Sequence, residues 1–176
     1  MAVTVYVCRV CGEATIFEGK PSRCPFCGAY DKYLVDSKEY DDTGDWDVEL
    51  NETDKANAEK ALGVEVSNAL FYKCSAKKVE EIDGKKLFKI LAKVESEHAA
   101  VWKKILKLKE IKWEPAETCE ADYKADLEDS HAREERAIKF YGEAAATAEN
   151  PRVKEIFQAF VEVETDHLKL SEERLK

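Results

Sequence analysis

The segment Glu65 to His98 reappears, without a gap, 69 residues later as Glu134 to His167. In register, Glu65 matches Glu134, Phe71-Tyr72 matches Phe140-Tyr141, Phe88 matches Phe157, Val94-Glu95 matches Val163-Glu164, and His98 matches His167. Repetition at this period marks a duplicated supersecondary unit rather than a chance likeness. From about Thr53 the apolar pattern is helical, with four segments at about 53–80, 84–112, 118–148 and 151–175. Breaks fall at Asp83-Gly84, at Pro115, and at Asn150-Pro151, where Asn caps and Pro takes the first helical position. Each copy is then a helical hairpin, and two hairpins make a four-helix bundle.

Residues three apart lie about 300° around a helix, on neighbouring points of one face. Glu95 with His98, and Glu164 with His167, can therefore reach one centre together, while Glu65 and Glu134 each supply a carboxylate from the other helix of their hairpins. One Glu-x-x-His is weak evidence, because acidic helix faces are common. Two of them, each preceded by a Glu in an ungapped repeat and set among Leu87, Leu91, Val94, Phe160, Val163 and Leu170, are not. Unpaired glutamates facing a core would cost several kcal/mol each, whereas two divalent cations neutralise four carboxylates. The pattern predicts a dinuclear metal site. Tyr72 and Tyr141, seven residues after Glu65 and Glu134, share their faces and can hydrogen-bond the ligand carboxylates.

The N-terminal segment carries Cys8-Arg-Val-Cys11-Gly12 and, twelve residues on, Cys24-Pro-Phe-Cys27-Gly28. Two Cys-x-x-Cys pairs suit a tetrahedral four-thiolate site, and Gly after the second Cys permits the tight turn of each knuckle. Spacing does not separate iron from zinc. Val3, Val5 and Val7 alternate with polar neighbours as a short strand does. So small a unit, residues 1–36, takes most of its stability from its metal. Residues 37–52 follow as an acidic linker, which Trp46 and Val48 can dock on the bundle, and the bundle occupies 53–176, with hairpins 53–112 and 118–175.

A net charge of -9 speaks against nucleic acid, and no apolar run reaches membrane-span length. The N-terminus lacks the pattern of a signal peptide, so a cytoplasmic protein is expected, in which paired cysteines serve as metal or redox groups rather than disulfides. Cys74 and Cys119, outside both motifs, read as a small buried residue and an exposed thiol at a helix start, with a redox or intersubunit role as the alternative for Cys119.

The cysteine knuckles resemble rubredoxin, and the bundle ligand set is that of ferritin-like di-iron carboxylate proteins. Together, nearly the whole chain resembles the rubrerythrin family in its reverse domain order. The fold this implies is mainly α, a ferritin-like four-helix bundle with a small N-terminal rubredoxin-like β-ribbon metal domain. The resemblance carries two irons (manganese being the alternative) to Glu65, Glu95, His98, Glu134, Glu164 and His167. A third iron, with zinc the alternative, goes to Cys8, Cys11, Cys24 and Cys27. It implies a peroxidase that reduces hydrogen peroxide in oxidative-stress defence. Electrons would be relayed by the four-cysteine iron from an external NAD(P)H-dependent rubredoxin reductase, with Tyr72 and Tyr141 beside the metals as catalytic groups. Ferroxidase or iron handling with oxygen as oxidant, and a non-catalytic metal-binding electron carrier, are the rival readings.

One position departs from the family. Its members carry an additional Glu three residues after the third-helix ligand, where one iron moves on oxidation; here that position is Ala137. His131, three residues before Glu134, offers an extra ligand or proton donor, or is a plain surface histidine. With helices running to about 112 and starting again at 118, the connection is too short to cross the bundle. That predicts a domain-swapped homodimer in which helices 1–2 pair with helices 3–4 of a second chain, and the thiolate unit docks across subunits.

Overall fold

A computed structural model describes residues 2–176. Strands β1 (Val3–Cys8), β2 (Ala14–Glu18) and β3 (Leu34–Asp36) form an antiparallel sheet in the order β2-β1-β3. The register sets Val5 opposite Ile16 and Cys8 opposite Leu34. The two cysteine knuckles project from this sheet. In each, the glycine amide closes the turn on the first cysteine's carbonyl, Gly12 to Cys8 at 2.7 Å and Gly28 to Cys24 at 3.0 Å.

Four helices follow: α1 (Glu52–Lys78), α2 (Ile82–Ile105), α3 (Tyr123–Thr147) and α4 (Pro151–Leu175). The sequence signals at their starts are used as capping chemistry predicts. Asn51 accepts from the Asp54 amide, Asp122 from that of Ala125, and Asn150 from those of Arg152 and Val153. The chain turns between the first two helices at Val79–Glu81, just before the expected Asp83-Gly84. Gly84 instead lies inside α2, where a side chain would stand 2.8 Å from the Tyr123 ring.

Helices α1 with α2, and α3 with α4, pack as the two hairpins of the repeat. Two apolar layers fill the bundle. One gathers Trp102, Ile105, Tyr141, Ile156, Phe157 and Phe160 together with the knuckle residues. The other gathers Phe71, Tyr72, Phe88, Leu91 and Leu127. Glu65, Glu95 and Glu134 fall between the two layers along their helices. Cys8, Cys11, Cys24 and Cys27 share the first layer, so the sheet unit and the bundle have one continuous core.

Polar contacts fix the unit in place. Lys104 Nζ donates to the Cys11 carbonyl at 2.6 Å, and the Arg152 guanidinium donates to the carbonyls of Arg9 and, at 3.2 Å, Asp45. Trp46 docks between the Lys104 and Arg152 cations, 4.9 Å from each, and Val48 is buried, so the acidic segment is pinned at the two residues expected to pin it.

The connection between hairpins corrects the expected helix ends on either side of it. Helix α2 ends at Ile105, where Lys107 takes φ 53° and the Leu108 amide returns to the Lys103 carbonyl at 3.0 Å, an end motif that usually carries glycine. Helix α3 begins only at Tyr123. The segment 106–122 is therefore free of helix, and at about 3.3 Å per residue its seventeen residues outreach a 24-residue helix of ~36 Å. Within this chain the connection spans the bundle, and Glu65, Glu95, His98, Glu134, Glu164 and His167 come together beside the chain's own thiolate unit.

A second correction concerns Cys74 and Cys119. They are neither an isolated core residue nor a free thiol; a disulfide joins them, with Cα atoms 5.9 Å apart. Their partnership is invisible in sequence because 45 residues separate them and the crossover alone brings them together. No described helix is long and apolar enough to cross a membrane.

Candidate metal centres

The four knuckle thiols are buried and converge. Cys8 Sγ lies 3.7 Å from Cys27 Sγ, and Cys11 Sγ lies 3.7 Å from Cys24 Sγ. A tetrahedron of sulfurs about 2.3 Å from a central metal has edges of about 3.8 Å, so the spacing fits a tetrahedral ion. Hydrogen bonding with Cys11 holds the Cys24 thiol far below the usual cysteine range, and the same bond pushes Cys11 above it. Gly28 completes the second knuckle with φ 77°, and a Cβ there would meet Val163 Cγ1 of α4 at 3.0 Å.

In the bundle, two four-residue groups form. Glu65, Glu95, His98 and Glu164 make one; Glu95, Glu134, Glu164 and His167 make the other, with the donor atoms of each within 4.8 Å of one another. Glu95 and Glu164 belong to both, the arrangement expected of carboxylates that bridge two ions. Each group then adds one terminal glutamate, from α1 or α3, and one histidine, from α2 or α4.

His98 Nδ1 stands 3.2 Å from Glu95, 3.1 Å from Glu164 and 3.6 Å from Glu65. His167 Nδ1 stands 3.1 Å from Glu95 and 2.7 Å from Glu164. Both oxygens of Glu95 and of Glu164, one oxygen each of Glu65 and Glu134, and Nδ1 of both histidines are buried without a hydrogen-bond partner. So many orphaned donors around one volume is the signature of an ion site, because each would otherwise bear its full desolvation cost. The oxygen-rich, two-imidazole donor set suits iron or manganese.

Electrostatics supports the same fit. Burial pushes the Glu65 and Glu134 carboxyls well above the usual range. Burial works against charge at Glu95 and Glu164 as well, yet the neighbouring imidazoles of His167 and His98 hold both carboxyls below it. Burial disfavours charged imidazoles too, but the facing carboxylates win and hold His98 and His167 well above the usual histidine value. In the absence of an ion the two imidazoles are the groups that offset the buried carboxyls, a role that bound cations would take over.

The tyrosines act across the repeat. Tyr72 of α1 donates to Glu134 of α3 and lies 2.9 Å from Ser130 Oγ, while Tyr141 of α3 donates to Glu65 of α1 at 2.5 Å. Sequence spacing placed each tyrosine beside the glutamate of its own helix; the packing gives it to the opposite hairpin. Ser130 carried no recognisable signal, lying outside the repeat. His131 joins neither group: its ring faces Ser171 Oγ at 3.3 Å and Glu135 at 3.8 Å. Ala137 is buried and lines a groove with Gly63 and Asn68, with no carboxylate at that point.

One contact joins the two centres. His98 Nε2 lies 2.9 Å from the backbone carbonyl of Cys27. A carbonyl only accepts, so Nε2 carries the proton and donates, leaving Nδ1 to face the carboxylates. His167 is the one bundle donor with an edge at the surface, 7% exposed against 0% for the other five. It opens on a cleft of about 370 Å³ that also carries Arg23, Gly28 and Asp166.

The family model for rubrerythrin matches residues 57–170. No curated protein and no solved structure matches the chain. With that match covering more than half of the chain, and with the two carboxylate–histidine groups inside it and the four-thiol group before it, this protein belongs to the rubrerythrin family.

Proposed function

We propose that the chain is a di-iron peroxide reductase in which Cys8, Cys11, Cys24 and Cys27 hold an electron-relaying iron, and Glu65, Glu95, His98, Glu134, Glu164 and His167 hold the reacting pair. The observation that carries this reading is the hydrogen bond from His98 Nε2 to the Cys27 carbonyl. It links a residue of one centre directly to a cysteine of the other, a connection that iron storage alone does not call for.

Bound there, an iron pair supplies the two electrons that O–O cleavage needs and Lewis-acid stabilisation of the oxygen charge that develops. The protein's own groups do the rest. Glu95 and Glu164 hold the two positions together, and Tyr72 and Tyr141 fix the terminal carboxylates by donating to them. Each hydroxyl also holds a proton at the edge of the site, ready for transfer towards product oxygen. The aromatic layers on either side exclude bulk water, and the cleft at His167 admits an oxidant as small as hydrogen peroxide. Electrons arrive at the thiolate centre from an external reductant.

The test is anaerobic stopped flow on reduced, iron-loaded protein, following the visible thiolate-to-iron band. Reoxidation should be much faster with hydrogen peroxide than with oxygen, and should be lost in Glu95→Ala. Faster reaction with oxygen would make the protein an iron oxidase. Absence of the band from protein isolated with its own metals would place zinc in the thiolate site and end the relay.

A further inference from the structure

The crossover 106–122 lies against α1 and is tied at both ends, by Lys107 to Asp47 at 2.5 Å and by the Glu120 amide to Asp126 at 2.8 Å. Glu117 accepts from Ser67 Oγ of α1 at 2.7 Å and pairs with Arg133 of α3 at 3.3 Å. The Lys73 ammonium sits 4.1 Å over the Trp113 ring, and Cys119 is bonded to Cys74. Only the last tie is covalent. Both cysteines are half-buried, so small oxidants and reductants reach them. Cys119 packs on the aromatic layer of Phe71, Tyr72 and Phe88, and the Arg133 guanidinium that Glu117 holds lies 4.3 Å over the Phe71 ring. The strap thus braces the α1–α3 seam at the level of Tyr72, whose hydroxyl bonds to Ser130 and Glu134 across it.

We propose that Cys74 and Cys119 are a second redox site, a dithiol that a peroxide closes to the disulfide and a dithiol reductant reopens, locking and releasing the crossover. In closure, one thiolate attacks a peroxide oxygen, the O–O bond breaks, and the departing hydroxide leaves as water after taking a proton. The second thiolate attacks the sulfenic sulfur, the S–S bond forms, and a second water leaves. The two sulfurs give up two electrons and the peroxide takes both. In reopening, the reductant's two thiols become its own disulfide, and Cys74 and Cys119 recover their electrons and protons by exchange. The sulfurs react directly with oxidant, so this inference does not rest on the proposed iron chemistry.

The strap carries the exposed lysines Lys107, Lys109 and Lys112, which make its state readable by trypsin. Metal-loaded protein with oxidised iron would be treated with dithiothreitol, desalted, and divided before and after a small excess of hydrogen peroxide. N-ethylmaleimide labelling and peptide mass spectrometry then follow. The expected result is labelling of Cys74 and Cys119 before peroxide, and an intrachain Cys74–Cys119 peptide after it. Cleavage after Lys109 and Lys112 should slow by about tenfold or more on closure, as cutting then requires opening of a tethered segment. In Cys119→Ser the cleavage rate should stay fast whether or not peroxide is added, and reduced wild-type protein supplies the same comparison without a mutation. Continued labelling of both thiols after peroxide, a disulfide between chains instead of within one, or an unchanged cleavage rate on closure would each overturn the proposal.

Discussion

The carboxylates of the bundle are not equivalent, and single substitutions should show it. Glu95 and Glu164 stand in both four-residue groups, whereas Glu65 and Glu134 stand in one each. Glu65→Ala should therefore leave about one tightly bound metal in the bundle and Glu95→Ala essentially none, counted by metal analysis after gel filtration in the presence of a weak chelator. Tyr141→Phe removes the donor to Glu65 while keeping the packing of a fully buried ring. Loss of a partner that orients a metal-binding carboxylate lowers affinity by about 10- to 100-fold, which a chelator competition would read, and Tyr72→Phe should do the same at Glu134. At the other centre, Gly28→Ala puts a side chain at φ 77° and 3.0 Å from Val163. Such a strained residue costs about 1–3 kcal/mol, so the four-thiol unit should lose stability and its metal should exchange faster. Glutamate and histidine identities were legible at this scale because helix periodicity maps sequence spacing onto a face. Ser130 and the Cys27 carbonyl were not, since neither a lone serine nor a backbone oxygen announces what will be packed against it.

Among the helices, one end of the bundle is held by a polar knot. Asp83 of α2 accepts from Tyr123 of α3 at 2.6 Å and from Arg174 of α4 at 2.8 Å. Arg174 and the Tyr123 hydroxyl hold its carboxyl below the ordinary range. A depressed folded pKa contributes stability that is present above the unfolded value, about 3.9, and lost as pH falls through the folded one. Acid titration of wild type against Asp83→Asn should therefore converge below about pH 4 and separate above it, by a margin that shrinks with added salt because the pair is exposed. The start of α4 was readable from Asn150, since a capping side chain acts within its own turn, whereas the Asp122 cap places the start of α3 later than expected. The end of α2 was not: Lys107 adopts a left-handed φ that no lysine advertises, and the helical pattern continues past it. With the start of α3 also falling later than expected, at Tyr123, an apparent short loop became a seventeen-residue crossover.

For the molecule as a whole, two kinds of reinforcement compensate for a core that carries four buried glutamates. Metal binding to the folded state alone stabilises it by about 2.7 kcal/mol at a hundredfold excess over Kd. Calorimetric melting with increasing ferrous or manganous ion should accordingly shift upward, and chelation should bring the largest drop in Tm of any single treatment. The Cys74–Cys119 bond closes a loop across α2 and the crossover. Its loss in Cys74→Ser should cost about 2–4 kcal/mol, since a cross-link of this span chiefly limits the unfolded chain, and denaturant midpoints would measure it. By itself the sequence determined the four helices, the hairpin duplication, which carboxylates, histidines and cysteines group together, and the family, because each depends on spacing along a single element or on an exact internal repeat. Only the tertiary structure decided that each tyrosine serves the opposite hairpin, that Cys74 meets Cys119, and that Cys27 touches His98. Those outcomes depend on where a long connection runs and how two hairpins face each other, and contacts between residues 45 to 76 apart are set by the packing of whole elements, which local spacing does not encode.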